Sequence, residues 1–395
     1  MKLYRNLAEA VVEALTQIFD EKRYADKVIE KTLKQNPKWG SRDRKFIAET
    51  TYDIVRWYRL FQALAKSAQN DYWKLLAVWC AWQKIDVPDW HEFRGFSATS
   101  MGQRFEEVKN DRKIRESIPD WMDELAEKEL GARWDRELEA LNEEARVVLR
   151  ANTLKTSRQA LQQKFEKDEI LTTTPQQFAD AVILEQRQNI FSRAEFKEGL
   201  FEVQDAGSQL IAPFLFAEPG MRVIDACAGG GGKTLHLASL MQNKGRIIAL
   251  DTEQWKLDEL KKRARRAGAG NIEVRLIESS KTIKRLENTA DRLLLDVPCS
   301  GLGVLRRNPD AKWKLTLEFI DRVRELQQHI LNDYCTLVKP GGYVVYSTCS
   351  ILNSENEEQV KQFLHQRNDF ECVEEKRIWP SDGFDGFYMA RLKRK

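Results

Sequence analysis

The stretch Arg222-Val223-Ile224-Asp225-Ala226-Cys227-Ala228-Gly229-Gly230-Gly231-Gly232-Lys233-Thr234 reads as a short apolar strand, a glycine loop and the start of a helix. Glycines let the backbone approach a ligand closely, and a helix N-terminus offers unpaired N–H groups. Two quite different enzymes use such a loop. A phosphate-binding loop requires Gly-x-x-x-x-Gly-Lys-[Ser/Thr]. Counting back from Gly232-Lys233-Thr234 puts its first glycine at position 227, where this chain has Cys227. The apolar run ending at Asp296 does resemble the acidic strand of an NTPase. However, Asp225 would bring a carboxylate toward anionic phosphates. Asp251 ends the next apolar run, where a carboxylate can take both hydroxyls of a ribose. A cationic, phosphate-free nucleoside such as S-adenosylmethionine tolerates carboxylates at Asp225, Asp251 and Asp296. The Gly-x-Gly-x-x-Gly spacing of a NAD site is not met.

Outward from this loop, strand-like and helical segments alternate. Strands are expected at 221–226, 246–251, 273–278, 292–296, 342–347, 370–374 and 386–392. Helices are expected at 234–242, 253–267, 318–337 and 355–367, with Ser354 and Glu357 as a capping box for the last. This alternation predicts an α/β fold with a doubly wound, mostly parallel sheet. The last two strands have no helix between them and are expected to form an antiparallel edge.

Two of these runs end in cysteine: Leu293-Leu294-Leu295-Asp296-Val297-Pro298-Cys299 and Tyr343-Val344-Val345-Tyr346-Ser347-Thr348-Cys349. If they are neighbouring parallel strands, roughly 4.8 Å apart, both thiols open into one crevice at the carboxyl edge of the sheet, where such folds bind ligands. A thiolate is strongly nucleophilic, and its ordinary pKa of about 8.5 can be lowered by positive charge. Two thiols beside a nucleoside loop point to covalent chemistry. A lone cysteine would be read as a small buried apolar residue, and Cys80, Cys335 and Cys372 are read that way. Cys227 is expected to contribute backbone to the loop.

Upstream, residues 1–142 read as helical, with apolar residues at helical spacing in Ala8, Val11, Val12, Leu15, Ile18 and Phe19. Ser41 is a candidate helix cap. Most of the 11 tryptophans fall before residue 135 and are read as packing residues. From 143 to 200 the texture changes to a small α+β module, with strands near 146–150 and 181–184 around a helix at 157–167. Residues 201–395 form the third expected domain.

The 395 residues are 42% hydrophobic, and no run approaches the about 20 apolar residues that span a bilayer. The run Leu7 to Phe19 is broken by Glu9 and Glu13, predicting an amphipathic helix, no membrane partner and a cytoplasmic protein. Six cysteines and four histidines show no metal-binding spacing. The net charge of +3 announces no nucleic-acid partner. Local clusters at Lys261 to Arg266, at Arg306-Arg307 and at the tail can bind phosphates or be solvated faces. Arg306 and Arg307 are the stronger candidates because they follow the Pro-Cys loop.

The motifs together resemble the RsmB/Nop/Sun (Fmu-like) family of S-adenosylmethionine-dependent RNA cytosine-C5 methyltransferases. The matching segments are Asp225 to Thr234, Asp296-Val-Pro-Cys-Ser-Gly-Leu-Gly303, Arg306-Arg-Asn-Pro-Asp310, Tyr346-Ser-Thr-Cys-Ser350, Asn353-Ser-Glu-Asn-Glu357 and Gly386-Phe-Tyr-Met-Ala390. Asn152-Thr-Leu-Lys155 and Val203 to Ser208 resemble the family's linker, and Tyr24 to Asp26 with Arg42 to Phe46 its NusB-like helical extension. The resemblance implies a Rossmann-like class I methyltransferase domain behind an RNA-recognition-like module and a NusB-like domain. It also implies a methyl group moved to cytosine C5 through a covalent bond between a cysteine and C6.

Under that resemblance Cys349 is the nucleophile, Cys299 assists release, and Asp296 lies between donor and base. The cofactor site comprises Cys227, Ala228, Gly229, Gly230, Gly231, Gly232, Lys233, Asp251 and Asp296. Glu278 stands slightly out of register where the family has an aspartate at the end of the third strand. Gly229 and Gly230 replace the family's Ala-Pro, which should loosen the loop. The partner is RNA, with ribosomal RNA ahead of transfer RNA, and Arg306 and Arg307 are the candidate contacts. A non-catalytic ribosome-assembly protein would need neither thiol.

Overall fold

Apolar residues three and four apart put Leu7, Val11, Leu15 and Ile18 on one side of the helix Arg5–Phe19, and all four are buried. The same spacing recurs in the helices Ala25–Gln35, Ser41–Arg56, Tyr58–Ala65 and Tyr72–Trp82. They share one core through Leu15, Ile47, Ile54, Phe61 and Leu75. The computed structural model describes residues 3–66 and 70–395. The chain divides into two units, Met1–Glu143 with Leu305–Leu317, and Glu144–Val304 with Glu318–Lys395.

Two expectations change in the helical unit, at Ser41 and at residues 305–317, while its tryptophans mostly pack as expected. Ser41 does not cap its helix: Gly40 stands at the cap, and its N–H donates to Asp43 Oδ2 at 3.1 Å. Trp82 stays 43% exposed, whereas Trp134 is buried and donates from Nε1 to Asp123 Oδ1 at 2.7 Å. Residues 305–317, read from sequence as part of the third domain, belong to the helical unit. Lys312 explains why. It is fully buried, and its Nζ donates to the carbonyls of Arg56 (3.2 Å), Glu116 (3.4 Å) and Ser117 (3.1 Å) and to Asn142 Oδ1 (2.6 Å). Its amino group satisfies carbonyls that helix ends leave without intrahelical partners, while burial and the charge of Arg56 hold its pKa well below the ordinary lysine value.

In the second unit, strands β1 (Val147–Ala151), β2 (Thr172–Thr173), β3 (Ala181–Leu184) and β4 (Phe201–Val203) form an antiparallel sheet in the order β2-β3-β1-β4. Leu149, Val182 and Phe201 pack on one face with Leu161 and Phe165 of the helix Arg158–Lys167. Val148, Ala181 and Ile183 pack on the other with Phe178, Ala206 and Phe384. Both faces are covered, so this sheet offers no open platform on which bases could stack.

The larger sheet has the order β10-β11-β9-β8-β5-β6-β7. Its strands are β5 (Arg222–Asp225), β6 (Arg246–Asp251), β7 (Ile272–Leu276), β8 (Ala290–Asp296), β9 (Val338–Thr348), β10 (Phe370–Ile378) and β11 (Phe387–Arg394). The pairs β5–β6, β6–β7, β5–β8 and β8–β9 are parallel; β9–β11 and β10–β11 are antiparallel. This is the doubly wound sheet with an antiparallel edge that the alternation predicts. The middles of its central strands are apolar because both faces are buried there. The chain runs β5, β6, β7 in one direction and resumes at β8 on the other side of β5. The topological switch point, where such sheets bind ligands, therefore lies between β5 and β8.

Two smaller expectations fail here. The helix Glu357–Gln366 starts after Asn356 with no side-chain cap, and Glu357 pairs instead with Arg377. Cys372 is exposed on the edge strand β10 rather than packed, while Cys80 and Cys335 are buried. No helix of the described residues is long and apolar enough to cross a membrane.

Candidate active site

The loop after β5 turns twice through positive φ, at Gly229 (+53°) and Gly231 (+87°), conformations that side chains disfavour. A Cβ at Gly231 would lie 2.6 Å from Leu260 Cγ, so only glycine lets the helix Gln254–Ala267 pack this close. The helix Gly232–Leu240 begins with the bond from Leu235 N–H to Gly231 O (2.9 Å). The amides ahead of it face out of the helix end. The glycine loop is braced from outside at two of its carbonyls. Arg263 Nη1 donates to Gly230 O and Arg150 Nη1 to Gly232 O, each at 2.6 Å.

Three carboxylates surround this loop. Asp251 is buried at the end of β6, with Oδ2 accepting from Gly229 N–H and Oδ1 from Glu253 N–H, both at 2.9 Å. A carboxylate has roughly four lone-pair sites, so two remain for the hydroxyls of a ribose. Asp225 accepts from Thr234 Oγ1 at 2.7 Å through Oδ2, while its buried Oδ1 has no partner among the described residues. Burial, with the charge of Asp296 adding, pushes the Asp225 carboxyl up to about 7. Burial and the charges of Asp225, Asp296 and Asp251 push the Cys227 thiol well above its ordinary value.

Lys233 is the residue a triphosphate would need, and here it is engaged. Its Nζ donates to Asp296 Oδ2 at 2.6 Å, and Ser347 Oγ donates to Asp296 Oδ1 at 3.0 Å. Burial opposes the charge on Lys233, but Asp296 outweighs it and holds the lysine above its ordinary pKa. With Lys233 paired to Asp296, and Asp251 and Asp225 beside the loop, the site suits a cationic nucleoside better than a triphosphate. The residues present fit S-adenosylmethionine: Asp251 could hold its ribose, and the loop amides and Asp225 its charged end.

The parallel pairing of β8 with β9 sets Asp296 opposite Ser347. Each chain then leaves the sheet within three residues, at Cys299 and Cys349. Their Sγ atoms lie 3.2 Å apart, as unbonded thiols. Hydrogen bonding to Cys349, and then burial, pushes the Cys299 thiol well above the ordinary range. Either thiol can donate in this contact. Close approach of the two loops requires Gly303, whose N–H donates to Cys349 O at 2.9 Å. A Cβ on Gly303 would lie 2.3 Å from Gly386 O and 2.8 Å from Cys349 O.

A family model described as "16S rRNA methyltransferase RsmB/F" matches residues 212–393, and one for the RsmF/B-like ferredoxin-like domain matches residues 118–191. A probable ribosomal RNA small subunit methyltransferase B of Synechocystis is 31% identical, over 94% of this chain and 95% of its own. The chain belongs to the RsmB/F methyltransferase family. A methyltransferase homologue from Pyrococcus horikoshii has been solved with 29% identity and a TM-score of 0.64, covering 72% of this chain and 98% of its own. The crystal structure of PH0851 covers all of both chains with a TM-score of 0.85, and at 23% identity it carries the fold alone. Like its family, this RsmB/F protein is a methyltransferase that uses S-adenosylmethionine and acts on RNA.

The structure brings Cys227 to Lys233, Asp251, Asp296, Cys299 and Cys349 to one edge of the large sheet. Other expected residues fall elsewhere. Glu278 lies beyond the end of β7 and is exposed, with Ile277 N–H bonded to Asp251 O at 2.9 Å. Arg306 is a correction. It is buried in the helical unit, its Nη2 donating to Ala140 O at 2.7 Å and its carbonyl accepting from Arg56 at 2.9 Å, so its guanidinium is not available to RNA phosphates. Arg307 is partly exposed.

Two of the basic residues at 261–266 are also structural. Arg263 and Arg266 both bind the buried Glu202 of β4 (2.9 and 2.6 Å), which locks the small sheet to the helix Gln254–Ala267. Sequence reasoning missed Arg150, Ser347 and the buried Glu355. The last lies in the matched segment Asn353–Glu357, the one signal that could have drawn attention to it.

Proposed function

We propose that this protein methylates C5 of a cytosine in ribosomal RNA through a covalent bond from Cys349 to C6. The observation that carries the proposal is the 3.2 Å approach of the Cys299 and Cys349 sulfurs beside the Lys233–Asp296 pair. A methyltransferase acting on an already nucleophilic nitrogen or oxygen needs no thiol, whereas cytosine C5 is a poor nucleophile. When bound, S-adenosylmethionine supplies an electrophilic methyl group. Cys349 Sγ, as thiolate, forms a bond to C6, and the displaced π electrons make C5 nucleophilic. Asp296, held on both oxygens by Lys233 and Ser347, is suited to hydrogen-bond the N3/N4 edge of the base. After C5 carries the methyl group, its hydrogen leaves as a proton. The S–C6 bond then breaks, and its electron pair returns to Cys349. Cys299, in contact with that sulfur, is suited to assist this elimination. The base must be unpaired or flipped out to reach the thiols.

Ribosomal RNA is favoured by the Synechocystis relative, whose name specifies the small subunit, and by a Vibrio cholerae relative named in the same way, 33% identical over 70% of this chain and 65% of its own. Bisulfite mapping of RNA from a deletion strain and its parent tests the proposal. One or more small-subunit cytosines should lose protection. Unchanged ribosomal RNA with altered transfer RNA would move the target, and no change in any RNA would remove the activity.

A further inference from the structure

The β8–β9 ladder ends at Asp296 and Ser347, and although β9 stays paired with β11 through Thr348, no ladder pair joins the two cysteines themselves. One buried carboxylate takes over. Glu355 is completely buried, and its Oε1 accepts from Ser300 N–H (2.8 Å) and Gln327 Nε2 (3.1 Å). Its Oε2 accepts from the hydroxyls of Ser300 and Ser350. All of the roughly four lone-pair sites of a carboxylate are thereby used. Ser300 follows Cys299 and Ser350 follows Cys349, so a single side chain holds the neighbour of each thiol. Gln327 extends the clamp, donating also to the carbonyl of Pro298 (2.9 Å), the residue before Cys299. Glu355 is itself anchored to β9, its carbonyl accepting from Tyr346 OH at 2.7 Å. The next residue continues the same work, Asn356 Nδ2 donating to Ser350 O at 3.0 Å.

We propose that Glu355 is a positioning residue that sets the register of Cys299 against Cys349 through Ser300 and Ser350. It acts through the two serines and is not itself a reacting group. Misplacement of a reacting atom by about 1 Å can cost roughly a hundredfold in rate. A clamp common to both loops keeps the second thiol within reach while the first is bonded to the base. The inference rests on the proposed function only in taking these two thiols as the reacting pair.

Two variants test it. Glu355→Gln keeps the volume, and its amide oxygen can still accept from Ser300 N–H and Gln327. Its NH2 faces the two hydroxyls with reversed polarity. Ser350→Ala cuts the strap beside Cys349 and leaves the carboxylate in place. The first measurement is kcat and KM on RNA. The second is the rate at which diamide joins Cys299 to Cys349, read by peptide mass. In that reaction the two thiols give up two hydrogens and two electrons to the N=N bond, which becomes a hydrazine, and one S–S bond forms. It depends on the sulfur geometry and needs no RNA.

In folded Glu355→Gln and Ser350→Ala, kcat should fall by about 10–100-fold with KM within about twofold, and disulfide formation should slow by about tenfold. A folded Glu355→Gln that forms the disulfide at the wild-type rate overturns the proposal, whether or not kcat falls. If Cys349→Ala still methylates RNA, the covalent mechanism fails, yet the disulfide rate continues to test Glu355.

Discussion

Lys233 Nζ donates to Asp296 Oδ2 at 2.6 Å, bridging the glycine loop after β5 and the Pro-Cys strand β8. The bond spends the loop lysine on a carboxylate rather than leaving it for a triphosphate. Lys233→Met should lower methyl transfer by roughly ten- to a hundredfold, the scale of a lost hydrogen bond to a charged group. Single-turnover assays with saturating donor measure this. Tight magnesium–ATP binding by the wild-type protein would contradict the assignment of the loop.

Asp251→Ala should weaken S-adenosylmethionine by about 1–3 kcal/mol, because the ribose loses charge-assisted partners. The mutation also frees Gly229 N–H, which Asp251 now holds at 2.9 Å. Isothermal titration gives the affinity, and an unchanged Kd would place the ribose elsewhere.

The two thiols should have separable roles. Cys349→Ala removes the group that activates C5, so methylation and covalent adduct should both disappear while donor binding survives. Cys299→Ala keeps the nucleophile and impairs elimination, so a protein–RNA adduct should accumulate on denaturing gels. The double variant should form none. An adduct trapped by Cys349→Ala but not by Cys299→Ala would show the roles exchanged.

Asp225 is predicted to make donor binding depend on pH. Burial raises its carboxyl from 3.8 to about 7, so below pH 7 the site is largely protonated and neutral. Ionisation adds a negative charge that favours the sulfonium cation. The preference for S-adenosylmethionine over uncharged-sulfur S-adenosylhomocysteine should therefore grow as pH rises from 6 to 8. Asp225→Asn should flatten that ratio. In the unliganded protein the raised pKa has the opposite sign for folding: the native state binds the proton more tightly, so this contribution is greatest below about pH 4 and declines toward pH 7. A ratio independent of pH in the wild type would remove Asp225 from the donor site.

Glu202→Ala leaves Arg263 and Arg266 without their buried carboxylate. Breaking a buried pair costs about 3–5 kcal/mol. Here about 2–4 kcal/mol is expected, because each guanidinium keeps about a fifth of its surface in water. Urea denaturation measures the loss. Arg263→Ala should likewise cost stability more than RNA affinity, and a large fall in RNA binding by a stable Arg263→Ala would return that residue to the RNA surface.

How far the sequence reaches is clear from particular residues. The strand runs ending at Asp225, Asp251 and Asp296, the glycine loop, and the thiols at Cys299 and Cys349 are all local patterns. Periodicity sets each element, and β8 and β9 differ from a surface pair by being apolar on both faces. Parallel neighbours then bring both chain exits to one edge, so the crevice follows from pattern alone. Their 3.2 Å contact does not, because it depends on Gly303 admitting the carbonyls of Gly386 and Cys349.

Charged side chains were the least legible, for a different reason. Arg306 looks like a surface arginine until Ala140 takes its guanidinium, and Arg263 looks solvated until Glu202 and Gly230 appear beside it. Glu355 lies in a matched motif, yet nothing local names its partner; its importance comes from Ser300, 55 residues earlier. Apolar periodicity is written into neighbouring residues, since one helix or strand buries one continuous face. The cost of burying a charge is settled only by partners distant in the chain. The sequence by itself therefore determined the sheet, the glycine loop and the two thiols. Tertiary structure alone decided which charges serve the site, which hold the molecule together, and how closely the sulfurs meet.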